Sequence, residues 1–142
     1  MNRILGVDLG TERTGIAVGS FGVAHPLTVL EAHDEDRIVA GIARHAREQD
    51  AREIVFGLAV SLDGTEGPAA VRQRAVAKLV ETETGLPVHL CDERLTTAEA
   101  DRALIGAGMD RKARREVVDK IAATILLQSY FDAKARPPAE PS

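Results

Sequence analysis

The chain has 142 residues, the size of one domain. Apolar residues make up 44% and charged residues 28%, which argues against disorder. The single cysteine, Cys91, excludes an intramolecular disulfide, and no apolar run approaches a membrane span or a signal peptide. We therefore expect a cytoplasmic protein with no membrane association. The net charge of −4 argues against a surface coated in basic charge but permits a local basic patch.

The first third of the chain predicts three strands and a helix. Residues 4–9 and 14–19 are short apolar runs separated by a spacer of hairpin length, and residues 26–30 form a third run. The period then changes to helical spacing from Asp34 to Gln49, with Asp34 in the position of an N-cap.

The remainder alternates strands and helices. Residues 53–58 and 87–91 predict two further strands, and the helix between them begins at Pro68 and ends at Gly85. We expect this helix to bury Val71, Ala75, Val76, Leu79 and Val80. A helix follows over 96–107, and a last helix over 112–135. We expect the last helix to bury Val117, Val118, Ile121, Ala122, Ile125 and Leu126.

This order of elements predicts an α/β fold, a five-stranded mixed sheet flanked by helices. The parallel part follows from the strands that alternate with helices, and the antiparallel part follows from the initial hairpin. We expect one domain over residues 1–136. The proline-rich residues 137–142 predict a disordered tail.

Several carboxylates lie within apolar elements or at their ends, where a charged side chain needs an explanation. Asp8 lies within the first strand, Asp92 and Glu93 follow the fifth, and Asp119 lies beside the apolar stripe of the last helix. Each also has a structural interpretation: Asp8 as a turn residue, Asp119 as a surface residue and Glu93 as a partner of Arg94. If the last helix crosses the strand ends, the acids converge, and their repulsion favours a hard cation such as Mg²⁺ or Mn²⁺. Two such ions are the usual machinery of phosphodiester hydrolysis.

Four segments resemble, in order, those of the YqgF/RuvX family of ribosomal RNA precursor nucleases and Holliday-junction-resolvase-like proteins. They are residues 6–17 (GVDLGTERTGIA), 55–68 (VFGLAVSLDGTEGP), 92–100 (DERLTTAEA) and 118–130 (VDKIAATILLQSY). The resemblance implies an RNase H-like fold. It also implies an acidic site of Asp8, Glu93 and Asp119 that binds two Mg²⁺ or Mn²⁺ ions, with Asp92 as a further ligand or a helix cap.

Two positions depart from the pattern that the resemblance implies. Ala59 stands where the family usually has proline after the Gly-Leu of its central loop, which bears on the shape of that loop. Ala122 stands where related resolvases often have a second acid one turn after the first. Asp119 is therefore the only acid that the last helix supplies to the implied site, which bears on occupancy by the second metal ion.

Basic residues concentrate just before Asp119. We call Arg111, Lys112, Arg114 and Arg115 the basic cluster. Cations at a helix N-terminus are mildly unfavourable, which favours a phosphate ligand there, although a solvated helix start is the alternative. Arginine suits the planar recognition of phosphate. The candidate contacts to a nucleic-acid backbone are Thr11, Arg13, Thr65, Arg94 and the basic cluster.

These features favour a metal-dependent nuclease acting on structured RNA or branched DNA. Its substrate is then the 5′ end of the small-subunit ribosomal RNA precursor, a Holliday junction, or both. A non-catalytic RNA-binding ribosome-assembly factor is the first alternative. An actin-like nucleotide-binding module is the second, because residues 8–11 also resemble a phosphate loop, although 142 residues supply only one of the two domains such proteins use. The sequence does not indicate an oligomeric state: a resolvase would need two copies to cut a symmetric junction, as in a homodimer, whereas an RNA-trimming enzyme would not.

Overall fold

In a computed structural model, the structure describes residues 2–61, 63–92 and 111–135, with the backbone alone over 111–120. These ranges contain the following strands and helices in chain order: β1 (Arg3–Leu9), β2 (Thr14–Ser20), β3 (Val23–Leu30), α1 (Glu35–Glu48), β4 (Ala51–Leu58), α2 (Pro68–Thr84), β5 (Val88–Asp92) and α3 (Arg111–Ala135). The helix predicted over 96–107 and the tail predicted over 137–142 lie outside the described residues.

The strands form one mixed sheet in the order β3-β2-β1-β4-β5, which confirms the prediction. Short turns join β1, β2 and β3 into an antiparallel meander, whereas β4 and β5 run parallel to β1. Parallel neighbours require long crossover connections, and α1 lies within the connection from β3 to β4. The C-terminal ends of β1, β4 and β5 therefore meet at one edge of the sheet. We call it the carboxyl edge.

Helices cover both faces of the sheet, with a separate core on each. On the first face, α1 and α2 pack over Leu5, Val7 and Leu9 of β1. On the second face, α3 packs over Ile4, Ala17 and Val55. Side chains alternate between the faces along each strand, so odd-numbered residues of β1 face α1 and α2 while even-numbered ones face α3.

The buried face of α2 differs in part from the prediction. Val76 and Val80 are buried as expected. The prediction is wrong for three residues, which are exposed: Val71 (61%), Ala75 and Leu79 (44%). The helix instead buries Ala70, Gln73 and Ala77. Apolar residues surround much of α2 from 69 to 80, so spacing alone does not select a face, and two small alanines let the helix pack closely on the sheet.

The buried stripe of α3 is displaced by one residue from the predicted one. Ala122 and Leu126 are buried as expected, and Ile121 and Ile125 are only partly buried. Ala123 and Leu127 complete the stripe. The side chains of Val117 and Val118 lie outside the described residues. No helix, over its described residues, is both long and apolar enough to cross a membrane.

The β2–β3 turn contains a strained residue. Phe21 has a φ of 55° and is 80% exposed, and Gly22 follows with a φ of 77°. Gln128 of α3 fixes this turn, since its Nε2 donates to the Gly22 carbonyl at 2.8 Å and its Oε1 accepts from Ala24 N–H at 3.0 Å. A left-handed conformation is unfavourable for phenylalanine, whereas asparagine adopts it readily.

Phe21→Asn is therefore expected to stabilise the protein, by about 1 kcal/mol. Thermal unfolding followed by circular dichroism should show a melting temperature higher by roughly 3 °C. Phe21→Ala is the matched control, because it removes the same exposed ring but lacks the short polar side chain that lets asparagine adopt the left-handed conformation. A gain of equal size in both variants would mean that the exposed ring, and not the backbone, is the source of the instability.

Candidate acidic site at the carboxyl edge

Asp8 lies on the α3 face of the sheet, one residue from the end of β1. It is partly buried and pairs across the hairpin with Gly15 of β2. The alternation along β1 puts its side chain on the same face as Ile4, which packs in the α3 core. The acid that the sequence singled out inside an apolar strand therefore points toward the helix that contains Asp119.

Close contact between β1 and α3 fixes their relative position. A Cβ on Gly6 would lie 2.9 Å from Leu127 Cβ and 3.2 Å from the carbonyl oxygen of Ala123. A Cβ on Gly19, which pairs with Ile4 at the other end of β1, would lie 2.5 Å from the ring of Phe131. Moving along β1 toward its C-terminus thus corresponds to moving toward the N-terminus of α3.

This antiparallel register brings position 119 to the level of Asp8. Two residues of β1 advance about 6–7 Å, and four residues of α3 advance about 6 Å. Since Gly6 contacts the turn containing Ala123, the turn one step earlier on α3, at position 119, is level with Asp8. The Asp119 side chain itself is among those not described. Convergence of the acids required the last helix to cross the strand ends, and the backbone of α3 meets that condition beside β1.

Asp92, the last residue of β5, lies on the other face of the sheet from Asp8. Cys91 packs on the α3 core, so Asp92 faces the opposite side of the sheet from Asp8. Asp92 is exposed and pairs with Leu58 at the carboxyl edge. This orientation favours its interpretation as a cap over that as a metal ligand. Glu93, the next residue in the chain, lies outside the described residues, as does Arg94.

The β1–β2 turn holds two of the predicted phosphate contacts. Gly10 N–H donates to the Arg13 carbonyl at 3.0 Å, and a Cβ on Gly10 would lie 2.3 Å from that oxygen, so the turn requires glycine here. Thr11 is exposed. Arg13 Nε lies 3.7 Å from Glu31 Oε1, a long ion pair with an exposed carboxylate. Both residues lie beside the carboxyl edge, and their contact with nucleic acid stays a prediction.

The loop after β4 is ordered by its own side chains. Asp63 Oδ1 accepts from both the hydroxyl (2.7 Å) and the backbone N–H (3.0 Å) of Thr65, and these hydrogen bonds lower the pKa of Asp63. Arg74 of α2 donates two 2.7 Å hydrogen bonds to Glu66, which lower the pKa of that carboxyl. Thr65 thus stabilises the turn through its hydrogen bonds, and its contact with a phosphate stays a prediction.

Ala59, the departure noted in the sequence, has a specific partner. Its N–H donates to Gln73 Oε1 at 2.7 Å, and Gln73 is only 3% exposed. A proline at this position has no N–H and could not make the bond. The buried glutamine therefore fixes the start of the loop in this chain, and the bond requires the face of α2 that contains Gln73 to point inward.

The predicted site is described only in part. The basic cluster forms the first turns of α3, as predicted, with its side chains undescribed. Among the described side chains, no group of three metal-ligating residues is present, and the side chains of Glu93 and Asp119 are not among those described. Sequence reasoning missed one residue at this edge, Arg72, whose Nη1 donates to the Gly10 carbonyl at 2.8 Å. No motif in the sequence marks this contact across 62 residues.

Comparison with solved structures identifies the fold of this chain. The chain aligns with Thermus thermophilus RuvC in complex with a Holliday junction substrate, at a TM-score of 0.58 and 16% identity over 94% of this chain and 96% of that one. It also aligns with the fowlpox virus resolvase bound to Holliday junction DNA, at a TM-score of 0.59 and 11% identity over 94% and 99%. At these identities the likeness shows the fold alone: the domain has an RNase H-like fold, as the resemblance implied.

The sequence places the chain more narrowly. A family model described as RuvX, Holliday junction resolvase, matches residues 2–133, and the chain belongs to this family. A relative from Kineococcus radiotolerans is 47% identical, covering 92% of this chain and 71% of that protein. Another from Geobacillus sp. is 43% identical, covering 93% and 99%. Both have the curated name "Putative pre-16S rRNA nuclease".

Proposed function

We propose that this protein is a divalent-metal-dependent nuclease whose acidic site consists of Asp8, Glu93 and Asp119. The observation that supports this most directly is the position of Asp8, on the α3 face at the carboxyl edge, level with position 119. The side chain of Asp8 therefore lies on the side of the sheet covered by the helix that contains Asp119. Membership of a resolvase family adds the reaction class.

The donor set suits hard cations. Carboxylate oxygens are the ligands that Mg²⁺ and Mn²⁺ prefer. Asp8, Gly57 and Cys91 lie at one level of neighbouring strands, so β1 and β5 are separated there by two strand spacings, roughly 10 Å. Carboxylates reaching inward from both sides of such a gap can hold two ions, which lower the pKa of the attacking water and stabilise the leaving oxygen.

In this proposal, the candidate phosphate contacts outside the acidic site bind and position the substrate. The basic cluster continues α3 beyond position 119, and Arg111 lies about 12 Å further along the helix axis. Nucleic acid held there lies across the acidic edge. Thr11, Arg13, Thr65 and Arg94 supply further backbone contacts in this proposal. Such contacts recognise the position of phosphates and not the base sequence, so the enzyme selects its substrate by shape.

The names of the relatives favour pre-16S ribosomal RNA as the substrate. The family description favours the Holliday junction. Both present the same phosphodiester to the acidic site. Cutting a symmetric junction on two strands requires two copies of the site, so the junction activity predicts a homodimer and the RNA activity does not.

A cleavage assay with two substrates tests the proposal. The substrates are a labelled four-way DNA junction and a pre-16S RNA fragment spanning the 5′ processing site, each with Mg²⁺, Mn²⁺ or EDTA. We expect cutting with metal and none in EDTA, and the preferred substrate identifies the activity. Binding of either substrate without cutting under any condition would instead indicate the non-catalytic ribosome-assembly factor.

A further inference from the structure

We propose that Arg72 is a phosphate-binding residue of the carboxyl edge, contacting the nucleic-acid backbone beside Asp8. The inference rests on the nuclease function proposed above. Helix α2 begins at Pro68, after the loop that follows β4, so its first turns lie near this edge. From there Arg72 extends to the β1–β2 turn, where Nη1 donates to the Gly10 carbonyl at 2.8 Å.

The charge of Arg72 is not neutralised by a carboxylate among the described residues. Its hydrogen bond to Gly10 uses one of the five N–H donors of a guanidinium. No described Asp or Glu forms an ion pair with Arg72 within 4.0 Å. In contrast, Arg74, two residues further along α2, donates two 2.7 Å hydrogen bonds to Glu66. A partly buried cation that no carboxylate of the described part of the chain pairs with favours an anionic ligand.

The position of Arg72 suits a phosphodiester. Gly10 lies two residues beyond Asp8, so the guanidinium is held at the end of the strand that contains the acid. The carboxylates of an acidic edge repel phosphate. An arginine held beside the edge offsets that repulsion, because its planar guanidinium forms bidentate hydrogen bonds with phosphate. Arg72 approaches the edge from the α2 side while the basic cluster approaches from the α3 side. A strand lying across the edge is then contacted from both faces of the sheet.

Salt dependence of binding distinguishes a phosphate contact from a structural role. Each phosphate contact contributes about 0.9 to the slope of log affinity against log salt concentration for duplex DNA, and about 0.7 for single strands. Binding of a fluorescent four-way DNA junction and of a structured RNA is measured in EDTA, where no cleavage occurs. We expect Arg72→Gln to reduce the slope by about one contact and to weaken binding several-fold, and Arg72→Lys to retain most of the slope.

Arg44→Gln is the matched control, because it removes the same charge from an exposed site on α1 and should leave the slope unchanged. A wild-type slope in Arg72→Gln, with only a lower melting temperature, would show that Arg72 merely ties α2 to the turn and would overturn the inference. That outcome leaves metal-dependent cleavage by the wild type intact. Failure of the wild type to bind either probe would instead overturn the proposed function and this inference together.

Discussion

Asp8→Asn is expected to lower the cleavage rate about a hundredfold or more while nucleic-acid binding persists. Removing a residue that only hydrogen-bonds to a metal ligand already lowers metal affinity or activity by about 10–100-fold. Asp8 is proposed to bind the metal directly, so its loss should have a larger effect. The substitution keeps the shape of the side chain and removes its charge. Binding in EDTA should be unchanged or slightly tighter, because one negative charge facing the phosphates is lost.

Two further aspartates calibrate this result. Asp50→Asn is the matched control, since Asp50 is exposed and lies just before β4, at the end of the sheet away from the carboxyl edge. Its φ of 53° also tolerates asparagine. Asp92→Asn should lose much less activity than Asp8→Asn, because Asp92 faces the other side of the sheet. Equal losses for Asp8 and Asp92 would contradict the assignment of the site to the α3 face.

The fold was predictable because its periodicities are local. The helical spacing over α1 and the cap at Asp34 are both present, with Asp34 Oδ1 accepting from Asp36 N–H at 3.3 Å. Strand β3 begins at Val23, three residues before its predicted start at Pro26. Proline is tolerated there because β3 is an edge strand and the pairing with β2 shifts register at this point.

The candidate acids can be selected from the sequence, whereas the contacts around Asp8 cannot. Asp8 stands out because a charge inside an apolar run needs a reason, and this reasoning needs only neighbours in sequence. The bonds from Arg72 to Gly10 and from Ala59 to Gln73 depend instead on the rotation of α2 about its axis. Apolar residues around much of that helix conceal the rotation from any analysis of spacing. Residues that fix the loops around a site are therefore the part that sequence reasoning misses.

Gly6→Ala is expected to impair both stability and cleavage, because it inserts a methyl group between β1 and α3. The new Cβ would lie 2.9 Å from Leu127 Cβ and 3.2 Å from the Ala123 carbonyl, and neither atom is the flexible end of a side chain. The helix must move. Overpacking of this kind costs about 1–3 kcal/mol, which corresponds to a melting temperature lower by roughly 3–10 °C.

We expect the same displacement of α3 to lower the cleavage rate as well. Position 119 lies one turn from Ala123, so moving α3 away from Gly6 also moves it away from Asp8, and a shift of about 1 Å in a catalytic group can cost about a hundredfold in rate. Cleavage is compared at a temperature where all variants are folded. Gly41→Ala is the control: its Cβ would also lie 2.9 Å from a neighbour, but that neighbour is the tip of Leu30, and alanine favours the helix. Normal cleavage by Gly6→Ala would show that the acids do not depend on this contact.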